Sequence, residues 1–271
     1  MHEGLFRRLP DLRQHGLTTS IGHPCHTDGV NISTNNPLIM KLGSFVDLSD
    51  VDRSHLDHFA SFPSRMPAGQ DIIREGERPE RVILLLAGWA YRYKVLHDGS
   101  RQILAYLLPG DLCDAHVFIL DKMDHSIGLL SDATVASIPR ETMMDVTKSA
   151  PAIARALWWS AMVDEAISRH WLINIGRRDA YDRIAHLFCE LWERVARVGL
   201  VIDDAFDLPL TQEQLGDSLG LTAVHTNRIL QRMRGEGLIT FKGKRLTILD
   251  MAGMRRAAAF DPNYLHLIRR K

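Results

Sequence analysis

The chain has 271 residues, 45% hydrophobic and 24% charged, with a formal net charge of zero. That balance suits a globular protein of one large or two modest domains, and it excludes polyanion binding by overall composition, so any nucleic-acid surface must be local. There is no run of about eighteen apolar residues and no secretory signal at the N-terminus. Cys25, Cys113 and Cys189 form no Cys-x-x-Cys pair, so the expectation is a cytoplasmic protein with no membrane association and no disulfide framework.

Residues 1–36 are rich in Gly, His, Asn, Ser and Thr without periodicity, and are expected to form a flexible arm or irregular extension. A short helical pattern follows, with Leu48, Val51, Leu56 and Phe59 near helical spacing and Ser49 or Asp50 as caps. From Phe62 to about Pro139, short apolar or alternating runs (71–74, 81–86, 90–96, 102–107, 133–138) alternate with glycine-bearing turns. Such spacing predicts an all-β barrel or sandwich. His97-Asp-Gly99-Ser is a hairpin turn, because Asp-Gly supplies the positive φ such turns need.

Between Ala152 and Ile175 there is neither Pro nor Gly, and Pro151 suits a first helical turn. This long helix is apolar on nearly every side in its first half, so more than one face must be covered. The row Ile153, Ala156, Trp159, Val163, Ala166, His170 and Ile173 is the expected dimer seam. A second helix over 179–197 carries Ile184, Leu187, Phe188, Leu191 and Val195 on one side.

The stretch Leu208 to Arg234 is the most informative. Thr211 with Gln214 forms a capping box, Gly216 permits close helix approach, Gly220 ends a first helix, and Thr222 caps a second. This is helix–turn–helix, with the second helix free to enter a major groove. Two short strands around Lys242-Gly-Lys-Arg245 make a wing with a basic tip. Across 211–249 six cations (Arg228, Arg232, Arg234, Lys242, Lys244, Arg245) face three acids (Glu213, Asp217, Glu236), a local charge of +3. Arg228 is the expected base reader and Val224 a contact for a thymine methyl. Thr222, His225, Lys242 and Lys244 are expected to hold phosphates, and Thr211, Ala223, Asn227 and Gln231 complete the DNA-facing set.

These features together resemble the Crp–Fnr superfamily of bacterial transcription regulators over about Ser54–Leu249. The resemblance is carried by Gly76, Gly88, Gly99, Gly110-Asp111, the long helix, Leu215-Gly, Leu219-Gly, Asn227-Arg-Ile-Leu and Gly237-Leu-Ile-Thr. It implies an α+β chain with a cyclic-nucleotide-binding-like β-roll sensor over 37–150, a dimerisation helix over 151–177, a winged helix-turn-helix over 178–250 and a tail over 251–271. It also implies a homodimer on a palindromic operator in double-stranded DNA, with RNA polymerase as a further partner. The sensor departs from the family pattern. Leu112-Cys113-Asp114-Ala115-His116 and Asp124-His125-Ser126-Ile127 lack the Gly-Glu and Arg-Ser/Thr pairs that would hold cyclic AMP, and Asp121 and Asp124 disfavour a phosphate. In the recognition helix, Ala223-Val224 stands where cyclic-AMP receptor proteins carry Arg-Glu.

Cys113, His116, His125 and Trp158 are the candidate lining of an effector pocket for an unknown small molecule. Three cysteines cannot supply a four-thiolate iron–sulfur site within one chain, and short His/Cys runs such as His23-Pro-Cys25-His26 in polar arms are usually innocent, so no metal or cofactor is assigned. The chain has no G-x-S-x-G, phosphate-loop or H-E-x-x-H motif, so it is read as a regulator and not an enzyme. The alternative is a small-molecule-binding or protein-interaction module whose winged helix does not read DNA.

Overall fold

The computed structural model describes residues 36–115 and 121–267. Helices α1 (Pro37–Gly43) and α2 (Asp50–Phe59) precede strands β1 (Pro63–Met66), β2 (Asp71–Ile73), β3 (Arg81–Ala87), β4 (Ala90–Val95), β5 (Arg101–Leu107), β6 (Leu112–Cys113), β7 (Ser126–Leu129) and β8 (Ala133–Pro139). Then come α3 (Arg140–Ser149), α4 (Pro151–Arg177), α5 (Ala180–Arg197), β9 (Ala205–Asp207), α6 (Gln212–Leu219), α7 (Ala223–Gly235), β10 (Ile239–Lys242), β11 (Arg245–Ile248), α8 (Met251–Ala257) and a 3₁₀ turn at Pro262–Leu265.

Ser49 caps α2 through a reciprocal box with Asp52, which satisfies two otherwise orphaned amides. Leu56 and Phe59 are buried, whereas Val51 of the same apolar pattern faces solvent. The strands form two four-stranded antiparallel sheets, ordered β1-β8-β3-β6 and β2-β7-β4-β5. The β4–β5 hairpin closes at the expected Asp98-Gly99 turn, where Gly99 N–H donates to Leu96 O at 2.9 Å. Alternation explains much of the core: Val82 and Leu84 of β3 and their partners Ile138 and Ala136 of β8 share one buried face, and Ile103 of β5 is also buried. This is the α+β architecture, with a β-roll followed by a helix-turn-helix.

Most of the row expected as a dimer seam on the long helix is covered within this chain. Ile153, Ala156, Val163 and Ala166 are buried within this chain, Trp159 stacks on Phe45 (ring centroids 5.8 Å apart), and His170 stacks on Tyr264 at 3.7 Å. Of that row only Ile173 is exposed. Apolar surface remains instead at Trp158, Met162, Leu172, Ile173 and Ile175. The row Ala154, Trp158, Ala161, Glu165, Ser168, Leu172 and Ile175 shares the three-four spacing and is exposed on this chain except at the half-buried Ala154 and Ala161. A helix apolar all round offers two such seams, and α1, α3, α5 and the C-terminal 3₁₀ turn cover one of them.

Residues 251–267, expected as a tail, pack instead. Tyr264 is buried and donates its hydroxyl to Glu190 of α5 at 3.0 Å, and Trp171 of α4 donates its indole N–H to the same carboxylate at 3.2 Å. The C-terminal segment thus seats across the joint between α4 and α5.

Candidate nucleic-acid interface

The helix-turn-helix is built by local chemistry. Thr211 Oγ1 accepts from Gln214 N–H at 3.1 Å while Gln214 Oε1 accepts from Thr211 N–H at 2.9 Å, which starts α6. Gly220 stops it with φ 66°, ψ 39°, a left-handed turn that glycine takes without steric cost. Thr222 Oγ1 then accepts from His225 N–H at 3.2 Å and opens α7. A Cβ on Gly216 would lie 2.3 Å from the Leu221 carbonyl oxygen, so only glycine allows the turn to fold back this tightly. Leu215, Leu219, Thr226, Ile229, Leu230 and Met233 close the core between the two helices.

That packing decides what faces outward. Thr222, Ala223, Val224, His225, Arg228 and Gln231 are exposed, Val224 by 73%, while Asn227 is half-buried. Thr211 is exposed with its hydroxyl committed to the cap. The wing is a three-stranded sheet, β10-β11-β9, in which β9 is an element that sequence reasoning missed. Lys242, Lys244 and Arg245 stand exposed at its tip, and Arg234 of α7 donates to Phe241 O at 3.2 Å, which ties the wing to the recognition helix.

Two of the three acids of the segment are held by arginines. Asp217 is held by Arg101, and Glu236 by Arg232 at 2.8 Å. Arg245 is engaged with Asp207 at 3.1 Å. Among the described residues Arg228, Lys242 and Lys244 make no ion pair, so their charge is presented outward, as phosphate or base contacts require.

Among the described residues, the effector candidates Cys113 and His125 do not share a cleft with Trp158. Cys113 is fully buried, and burial pushes its thiol up to about 12 against the pull of Arg92, so it stays a thiol and not a reactive thiolate. His125 lies between Asp114 (Nε2 to Oδ2, 2.9 Å) and Asp124 (Nδ1 to Oδ1, 2.7 Å). Burial disfavours its charge, but the bond and charge of Asp114, with help from Asp124, win and hold its pKa above the ordinary value. Trp158 lines a separate cleft with Arg155, Trp159, Met162 and His266. His116 and the His23–His26 run lie outside the described residues.

Sequence reasoning missed Arg92. It reaches Asp114 at 3.4 Å and Asp164 of α4 at 3.6 Å, so one guanidinium joins the β-roll to the long helix. Desolvation opposes its charge, and Asp164 and Asp114 more than restore it. Strand alternation alone could not place it, because the β4–β5 register shifts between Arg92 and Tyr93. Asp121, expected near the same place, pairs with Arg78 on the surface at 2.8 Å.

Comparison with known proteins agrees with this geometry. Residues 182–257 match the Crp-like helix-turn-helix domain and residues 63–150 the cyclic nucleotide-binding domain. The chain is 27% identical over 198 residues to the transcriptional activator protein FnrL of Cereibacter sphaeroides, covering 72% of this chain and 79% of that protein. It is 23% identical over 211 residues to the fumarate and nitrate reduction regulatory protein of Vibrio cholerae, covering 78% and 84%. The structure of FixK2 from Bradyrhizobium japonicum superposes with a TM-score of 0.66 at 24% identity, over 74% of this chain and 98% of that one. With a β-roll, a long helix and a winged helix-turn-helix in that order, the chain belongs to the Crp–Fnr superfamily of DNA-binding transcription regulators.

Proposed function

We propose that the protein acts as a homodimer on a palindromic operator, each protomer laying the N-terminal half of α7 in a major groove and its wing along the adjoining phosphates. The observation that carries this reading is that Ala223, Val224, His225 and Arg228 of α7 and the unpaired Lys242 and Lys244 of the wing tied to it by Arg234 are all exposed. Arg228 is the base reader and the wing lysines neutralise phosphate. The exposed row of α4 at Trp158, Leu172 and Ile175 supplies the subunit contact. At a promoter the DNA-bound dimer would then meet RNA polymerase.

The effector is something other than cyclic AMP, or none. The Arg92 guanidinium already has two carboxylates, Asp114 and Asp164, and Asp124 stands one residue from His125. An incoming phosphate would have to displace Asp114 against repulsion from the remaining acids. Selection of genomic fragments by the purified full chain tests the DNA reading. Enrichment of a two-fold symmetric sequence is expected, and Arg228→Ala should cost about 1–3 kcal/mol on that sequence with less loss on random DNA. Recovery of no enriched fragment would overturn it.

A further inference from the structure

Arg183 lies in the first turns of α5, and its guanidinium donates to two backbone carbonyls at once. Nε reaches Arg178 O at 2.9 Å, and Nη1 reaches Leu219 O at 3.0 Å. Arg178 is the C-cap residue of α4, and Leu219 is the last residue of α6, immediately before the left-handed Gly220 turn. Carbonyls at a helix C-terminus lack intrahelical partners and sit at the negative end of the dipole. A planar cationic fork satisfies two of them in a geometry that a single ammonium does not reproduce.

The contacts continue on both sides. Arg178 Nη1 donates to Asn174 Oδ1 at 2.6 Å, and Asn174 in turn meets buried His186 of α5 at 3.3 Å. Beyond Leu219, the close approach of Gly216 to Leu221 and the Thr222 cap leave little freedom before the exposed face of α7 begins. Arg183 is therefore a direct side-chain link between the end of the long helix and the turn that aims the recognition helix.

We propose that Arg183 is a positioning residue for operator recognition, fixing the helix-turn-helix against the end of α4 and thereby setting the separation of the two recognition helices. This rests on the dimeric DNA-binding reading above. The recognition helices of such a dimer must reach major grooves about 34–36 Å apart, so a small rotation at the α4–α5 joint misplaces one half-site relative to the other.

The test uses the full chain and the operator recovered by genomic selection. Affinity is measured for that operator, for versions with the half-sites one base pair closer or farther apart, and for random duplex. Arg183→Gln, which keeps the stem and loses the fork, should weaken operator binding by about tenfold or more. It should leave random-duplex binding nearly unchanged and erode the preference for the native spacing. Arg183→Lys should recover part of the affinity and spacing preference, and it carries the same comparison if Arg183→Gln does not fold. A folded variant with wild-type affinity and spacing preference, or with equal loss on every duplex, overturns the proposal. If the wild-type chain selects no operator, it is the underlying dimer-on-DNA reading that fails.

Discussion

Arg101 of the β-roll grips Asp217 of α6 with two charge-assisted bonds to a single carboxylate oxygen, Nη2 at 2.7 Å and Nε at 2.9 Å. Beside it Tyr106 donates its hydroxyl to Gln214 O at 3.2 Å, so β5 is docked against the first helix of the helix-turn-helix. Both charged side chains keep about a quarter of their exposure, 29% and 23%, which leaves the pair partly screened by solvent. A double-mutant cycle on Arg101→Ala and Asp217→Ala, read by urea unfolding, should give a coupling of about 0.5–1 kcal/mol that shrinks in high salt. Strict additivity of the two substitutions would remove the contact as a link between the domains.

Two histidines should oppose each other in the pH dependence of stability. His186 is buried, and its pKa is pushed down to about 3, first by burial and then by Arg178 and His170. The unfolded ring takes its proton near pH 6.5, so the unfolded state binds more protons below that value, and stability falls as pH drops from 6.5 towards 3. His125 has a raised pKa, so its contribution is complete below about pH 6.5 and is lost as pH climbs through its folded value. Urea midpoints of His186→Gln should therefore vary less between pH 6.5 and 5 than those of the wild type. His125→Gln should be destabilised more at pH 6 than at pH 9.

Two glycines of the DNA-binding domain should respond in opposite directions. Gly216→Ala places a methyl group against the Leu221 carbonyl and should cost about 1–3 kcal/mol, with loss of DNA binding as the turn opens. Gly235 ends α7 with open space around its Cβ position, so Gly235→Ala should stabilise by a few tenths to about 1 kcal/mol through helix propensity. Thermal or urea unfolding of the two variants checks both signs.

The subunit contact proposed for α4 makes a separate prediction. Leu172 is 72% exposed on the chain and Trp158 70%. Leu172→Glu or Trp158→Glu should shift the protein to monomer in sedimentation experiments while leaving the far-UV spectrum intact. Ala156→Glu should unfold it instead, since Ala156 is fully buried within the chain. A dimer that survives both surface substitutions would place the contact elsewhere.

How much of this was legible in the sequence depended on the range of the forces involved. The helix-turn-helix was readable because its determinants are local: a capping box at Thr211 and Gln214, a left-handed Gly220, a tight Gly216 and a cap at Thr222. The longer strands and the Asp98-Gly99 hairpin were readable for the same reason. Strand β6 has two residues and β9 three, too short for alternation to register. The ion pairs of Arg92 cross from β4 to the β6–β7 connection and to α4, and no local pattern encodes such a meeting. Most of the row expected as the subunit seam of α4 is covered by the chain itself, because a helix apolar on every side does not announce which stripe its own chain will cover. Only the packing of Phe45 on Trp159 and of Tyr264 on His170 decides that.

Tyr264 and Leu265 are among the last described residues of the chain, yet they finish a joint between helices that begin at Pro151 and Ala180. A nascent chain emerges from its N-terminus, so the β-roll and the long helix can fold while this joint still lacks its final piece. The carboxylate of Glu190, fully buried in the folded protein, has to wait for the Tyr264 hydroxyl, 74 residues further along the chain. A chain whose translation stops between Leu249 and Tyr264 would therefore carry the helix-turn-helix on an unsealed hinge.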